Sequence, residues 1–586
     1  MHAARVLAAL GLPLGVGACF LLAPYPPLAE DLTNDAGSDV DAAVLTDGAS
    51  REDGACTPGT TVDCWEGPRE AEGKGQCARG KALCLEDGGP GPCLGSVPPA
   101  IERCETTADE NCDGTGECTG GHRFALRAGD GQVQTARGVG TSPDGAIVAA
   151  GVYVGALELP PPNAALPQGG SPSVADGFVV AVDPRTSLVK WSLPLPDLAL
   201  TSMVVGSSGI VIGGTTATGL SIPGCAAIPP PLPSRNDVFV AVLEHSGKCR
   251  VAKLFTGDGD KQLTAMALDD GSGDVALVGA FGGTLELPGV AALDATTPSS
   301  LQGFFARVDS KLVARRAARL APVGTRVTIT GVAVDGTGAT GRSTIVGQIS
   351  GGGGGATCTN VYPVPFGFGI LTCDTAVAGF AITFDAGAAG VQRVWGDPGS
   401  AVQPTAVAYL GAEVAVAGVV SGTTALSGPI VTGAPPGEAF LLRTERGGAL
   451  AEPAIASVFG GAGQARPRAI AVDAIGNVIV AGDYDGRPSF GGAPLPSALS
   501  ANGFVAKWRV ASVASEAGAA RAFIHAWSFP LTSEQLVTPN AVATGALGDV
   551  VVGGSFSGSM NMGSSAPLAA AGTGTTSDAF ILLRSP

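Results

Sequence analysis

The densest set of ligand-type side chains in the chain is Asp109-Glu110-Asn111-Cys112-Asp113-Gly114. Asp109, Asn111 and Asp113 fall at i, i+2 and i+4 with a glycine next. That spacing turns three oxygens toward one point, as in the first half of a calcium loop. The twelfth position is Gly120 rather than a bidentate glutamate, and Glu117 is the nearest later carboxylate. Any calcium affinity is therefore expected to be weak. The other use of these residues is a metal-free Asx turn stapled by Cys104, Cys112 and Cys118. Copper would call for imidazole or thioether, and only His122 lies near.

Elsewhere the supply of reactive groups is thin. Glycoside hydrolysis needs two facing carboxylates, and the long loops offer Asp176, Glu286, Asp294, Asp374 and Glu438 without a suggestive pair. Of four histidines, His525 falls in a strand and is expected to be structural. Asp130, Asp258, Asp260 and Asp397 sit in Gly-Asp turns and read as turn residues. The run Gly351–Gly355 is not a phosphate cradle, because no Lys-Ser/Thr or helix follows it. No catalytic residue is assigned, and no cofactor beyond calcium at Asp109, Asn111, Asp113 and Glu117.

The elements that would position such groups come from a repeat. Phe178, Phe239, Phe304, Phe380, Phe440, Phe504 and Phe580 each open an apolar strand, at spacings of 61, 65, 76, 60, 64 and 76. Upstream of each, a glycine ends another: Gly151, Gly214, Gly279, Gly347, Gly418, Gly482 and Gly554. Residues 469–486 show the unit best, two alternating strands joined by a Gly476-Asn477 turn. A variable loop, the Phe-bearing strand and a fourth strand such as Lys190–Leu193 complete it. Four antiparallel strands per unit describe a propeller blade.

The last repeat stops without a fourth strand, and an unmatched segment, Arg123–Arg127, precedes the first. Donating it to the end would remove an open edge. Residues 469–482 resemble the bacterial seven-bladed β-propeller repeat family, whose signature runs like AIAVDxxGNxYVxG; 146–151 and 550–554 match less well. The likeness spans roughly 124–586 and implies fold only. The expected fold is thus all-β: a seven-bladed β-propeller of four-stranded antiparallel blades over 119–586, with N-/C-terminal strand closure, plus a small disulfide-rich N-terminal module.

Arg5 before the apolar run Val6–Ala23 reads as a secretory signal. Val16-Gly17-Ala18-Cys19 resembles a bacterial lipobox, which implies acylation of Cys19; cleavage near Ala29 or an uncleaved anchor are the alternatives for 1–29. Residues 30–55 are acidic and small, an expected disordered tether. Apart from Cys19 there are twelve cysteines, eight between 56 and 118 and then Cys225/Cys249 and Cys358/Cys373. Both later pairs are expected disulfides, and the set suits an oxidising compartment. Over 56–118, CTPGTTVDCWEGP, Cys77, Cys84, Cys104 and the Asp109–Gly114 turn resemble the metal-binding-motif family of secreted bacterial proteins.

The formal charge of −17 is concentrated in 30–118, which carries 20 acids against 6 bases. Residues 119–586 are nearly balanced, with 31 acids against 27 bases, so nucleic acid is not an expected partner. The seven long loops (160–176, 220–236, 284–301, 348–378, 422–438, 487–502 and 558–577) should gather on one variable face. The expectation is an exported, surface-tethered, non-catalytic protein that binds a protein or glycan there, as an outer-membrane or cell-surface lipoprotein or in secreted form. The alternatives are a secreted hydrolase or lyase, and a metal-binding envelope protein acting through the cysteine module.

Overall fold

The computed structural model describes residues 56–586 except 105, 117, 161–162, 170–173, 230–234, 296–300, 321–324, 337–340, 352–357, 361–370, 374–376, 385–391, 412, 446–453, 516–517, 564–565 and 573–575. The described chain is almost wholly antiparallel β, with one short 3-10 turn at Arg69–Ala71. Among the described residues no helix is long and apolar enough to cross a membrane.

Strands assemble in fours. The first group is Gln134–Thr141, Ile147–Tyr153, Asp176–Asp183 and Leu188–Leu195, paired in chain order. Its two middle strands are buried nearly end to end, whereas the fourth alternates exposed and covered residues. Burial on both faces explains why the middle strands read as unbroken apolar runs. Four such sheets stand apart, and twelve further strands run together in one sheet, so the hydrogen bonding does not draw seven separate sheets. The joins are a bridge between Val377 and Ala401 and the pairing of Gly460–Ala462 with Arg487–Ser489. None of these sheets closes on itself.

Each repeat glycine stands directly opposite a repeat phenylalanine, from Gly151/Phe178 through Gly554/Phe580. The reason lies in the first strand of each group, which carries one extra residue. The ladder shifts around Arg137, Thr201, Thr264, Thr330, Thr405, Arg468 and Asn540. Each bulge presses the carbonyl two residues before it onto the glycine, so an added Cβ would collide with backbone at all seven. In the Gly279, Gly347, Gly418, Gly482 and Gly554 pairs the Phe ring would also lie within 3.0 Å of that Cβ. The aromatic ring covers what the glycine leaves bare.

Core residues lie between sheets. One cluster joins Val148 and Leu195 of the first group to Ile212 and Phe239 of the second. Another joins Ile147 and Phe178 to Val551 and Ile581, so the last group also packs on the first. The first strands follow the same order: Ser202 Oγ accepts from Met266 N at 3.2 Å, and Thr330 Oγ1 donates to Pro404 O at 2.7 Å. Thr544 Oγ1 donates to Val472 O at 3.3 Å, and Asn540 Nδ2 donates to Thr135 Oγ1 at 3.0 Å.

His122–Ala128 pairs antiparallel with Asp578–Arg584, the pairing expected of 123–127. Arg584 is buried there, donating to the carbonyls of Gly120 and Met562, with its guanidinium 3.3 Å from the Phe529 ring centroid. Burial lowers its pKa to about 10. Gly121 N donates to Ser585 Oγ at 2.7 Å, and Arg123 bonds Asp549 at 2.6 Å.

Two substitutions check the glycine–phenylalanine device by denaturant unfolding. Gly482→Ala is expected to destabilise by about 1–3 kcal/mol through backbone overlap with Arg466. Phe504→Ala should cost about 3–5 kcal/mol as a fully buried ring lost. Losses below half a kcal/mol (~0.5) in both would deny the device a role in stability.

Candidate functional site

The connections between second and third strands are not irregular loops, as their composition suggested. Each folds back on itself as a small antiparallel arm among the described residues. Leu157 bridges Leu166, Leu220 bridges Ile228, and Gly486 pairs with Ala498. Thr284–Leu285 pairs with Leu293–Asp294, Cys358–Asn360 with Leu371–Cys373, Gly422–Ala425 with Ile430–Gly433, and Ser559–Met560 with Leu568–Ala569. Buried apolar side chains, among them Leu157, Leu285, Leu426, Leu495 and Met560, pin the arms to the sheets. Sequence reading missed this because proline, glycine and alanine hide so short a ladder.

A polar residue stands two places before each repeat phenylalanine except at Ala378, and at five of these positions it bonds the arm, the strand entering the next group, or both. Asp176 accepts from Gly169 N and Asp197 N, each at 2.8 Å. Asn502 Oδ1 accepts from Ser533 N at 2.9 Å, and Glu438 from Ala434 N and Gly461 N. Asp578 accepts from Ala571 N at 2.7 Å, and Asp237 meets Lys261 at 3.1 Å. Burial raises the pKa of Asp237 and Asp578. The signal was present in the sequence as a recurrent acid or amide before Phe.

Of the other loop acids, Glu286 accepts from Thr256 Oγ1 at 3.2 Å, the Asp294 carbonyl accepts from Arg319, and Asp374 lies outside the described residues. Asp130, Asp260 and Asp397 accept from Ala156 N, Asn236 N and Ala425 N respectively, while Asp258 pairs with Arg235. Apart from Asp294 and Asp374, the structure therefore spends these carboxylates on tying connections together. Large apolar side chains are nonetheless presented on the arms, chiefly Ile430 (76% exposed) and Leu499 (fully exposed).

The cysteine module is closed by Cys56–Cys84, Cys64–Cys93, Cys77–Cys112 and Cys104–Cys118; Cys225–Cys249 forms as expected. Its core cluster is Trp65, Ala71, Cys77 and Cys112, with Ala82 and Cys84 also buried, too little to hold without the bridges. Cys358 and Cys373 are backbone partners in register, but their side chains, like Cys19 and Glu117, lie outside the described residues.

Asp109, Asn111 and Asp113 do come together in one turn. Asp109 accepts from Asp113 N at 3.1 Å and Gly114 N at 2.9 Å, Asn111 Oδ1 accepts from Asp113 N at 3.0 Å, and Asp113 accepts from Thr115 N at 3.0 Å. These are the bonds of Asx turns. Among the described residues no three His, Cys, Asp or Glu side chains converge to hold a metal; Glu117 lies outside them, and Asn111 would add an amide oxygen to the set.

Beside this turn the module meets the repeat region. Glu102 is buried, with one oxygen accepting from Asn111 N at 3.0 Å and the other unpartnered. Burial raises its pKa, with Glu110, Asp109 and Asp113 adding to the rise. Asp549, raised mainly by burial, bonds Arg123, which also reaches Asp113 at 3.9 Å. His122 and His525 are both held low by burial, and His525 packs against Gly492 in its strand.

The joint has a pH signature. Carboxyls raised in the fold contribute stability that is complete below their unfolded pKa and lost as pH rises through the folded value. The thermal midpoint is expected to fall from mildly acidic to neutral pH, and Glu102→Gln should flatten that fall. An unchanged slope in the variant would remove Glu102 from the joint's energetics.

No family model matches the chain, and no curated protein does. Among solved structures, the Cps50 (Swd1) β-propeller domain of Myceliophteria thermophila aligns at 11% identity over 78% of this chain and 98% of that one, with TM-score 0.32. Sqt1 of Chaetomium thermophilum bound to the N-terminus of ribosomal protein L10 gives the same values. A subtype N11 neuraminidase-like protein of a flat-faced bat influenza virus aligns at 10% over 80% and 94%, with TM-score 0.26. Likeness this slight assigns nothing to the present chain.

Proposed function

We propose that the chain is an exported, surface-tethered, non-catalytic seven-bladed β-propeller that binds a protein partner through its arm-bearing edge. Support for the ring comes from core clusters that join successive four-strand groups and then the last to the first. Support for export comes from five disulfides, which persist in oxidising compartments. Tethering rests on the lipobox-like Val16–Cys19 alone.

The observation that carries the binding reading is the exposure of Ile430 and Leu499 on pinned arms of successive groups. Anchors already held in place lose little freedom on binding. The exposed large apolar residues are aliphatic, with no aromatic among those described, which favours a protein over the stacking platform a glycan would use. Ile430→Asp and Leu499→Asp should leave the thermal midpoint unchanged and abolish capture of a specific envelope protein by the immobilised chain. Equal capture by wild type and variants, or glycan binding that both retain, would overturn the reading.

Calcium at the Asp109–Asp113 turn is a separate proposal, since the ion would compete with amides for the same oxygens. Calorimetric titration of the whole chain decides it: saturable heat lost in Asp113→Ala supports a site, and no heat removes it.

A further inference from the structure

The bulge that opens each group also re-aims one side chain out of the ladder. At five of these positions the residue is small and polar: Thr201, Thr264, Thr330, Thr405 and Asn540. Most are spent on the protein. Thr201 donates to Gly213 O, Thr405 to Ala417 O, and Asn540 to Thr135 Oγ1 and Ala136 O. The two remaining positions break the pattern with arginine, Arg137 and Arg468.

These two belong to strands held together through the strand of Asn540. Thr141 Oγ1 donates to Thr544 O at 3.4 Å, and Thr544 Oγ1 to Val472 O at 3.3 Å. Arg468 bonds one oxygen of Asp483, whose other oxygen takes Arg466 at 2.7 Å; Arg466 also bonds Asp485 at 3.0 Å. Two guanidinium groups therefore share two carboxylates. Arg137 has no acceptor among the described residues, and its neighbouring charge is Arg468. Arg137 is exposed on its strand, yet the protein crowded around it, and then Arg468, lower its pKa. A like-charged pair stands at corresponding repeat positions, in a region of 31 acids against 27 bases whose bulk charge does not call for it.

We propose that Arg137 and Arg468 form an oxyanion-binding site at the centre of the ring, taking a carboxylate or phosphate group between the two guanidinium forks. The site rests on the ring reading in one respect: the first strands must face a common axis. The oxyanion neutralises the unpaired positive charge and supplies the acceptor that Arg137 lacks. It gives the ring a polar contact distinct from the aliphatic anchors on the arms.

Arg137→Thr installs the residue that four other groups carry, so folding should survive. Inorganic phosphate and succinate, each against sodium chloride at equal ionic strength, are expected to raise the wild-type thermal midpoint saturably by about 2 °C and to leave Arg137→Thr unmoved. No rise, a rise matched by chloride, or an equal rise in the variant overturns the site. The anion-free variant separates the two levels. If its midpoint is raised at low salt, the arginines face each other and the ring stands even where no anion binds. If its midpoint and salt dependence equal the wild type's, the facing arrangement itself fails. Displacement of a captured partner by phosphate would assign the oxyanion to that partner's acidic side chain, and capture insensitive to phosphate would assign it to a free anion.

Discussion

Strands buried on both faces cannot stand as a sheet in water, and this constraint governs the whole repeat region. The middle strands of every group bury apolar residues on each side, so each sheet needs a neighbour on either flank. Core clusters accordingly lie between groups. The demand ends only when the last group packs on the first. Pairing of His122–Ala128 with Asp578–Arg584 is the covalently distant contact that satisfies it, and the buried Arg584 ties that pairing to Gly120 and Met562.

A second regularity follows from closeness. The first strand of each group is shared between its own sheet and its neighbours' first strands, and one extra residue in it bends the strand to serve both. The bend drives a carbonyl into the second strand, where only glycine leaves room. The opposite phenylalanine then closes the gap. Bulge, glycine and aromatic ring are one device, repeated with little change from Gly151/Phe178 to Gly554/Phe580.

Variation is confined to the parts that this device leaves free. The arms differ in length and composition, yet buried apolar residues anchor them among the described residues, and all but one carry an acid or amide before the phenylalanine. A binding edge built this way holds its contacts in place without ordering them anew. The cysteine module serves the same economy at its own scale, with four disulfides around a core cluster of four buried side chains.

The chain's own order of residues determined the repeat, its four-strand content, the borrowed terminal strand and the Cys225–Cys249 bridge, because alternation, turn residues and spacing are local or periodic signals. Tertiary structure alone decided that the glycines face the phenylalanines and that the loops are arms. It also decided that the acids Asp176 and Glu438 hold backbone amides of the arms and of the strands beyond them. It joined twelve strands in one sheet where separate blades were expected, because edge strands such as Ile455–Ala462 can reach a neighbour once packed beside it. Cross-strand register and the spending of a carboxylate on an amide depend on partners dozens of residues away, and no local pattern names them.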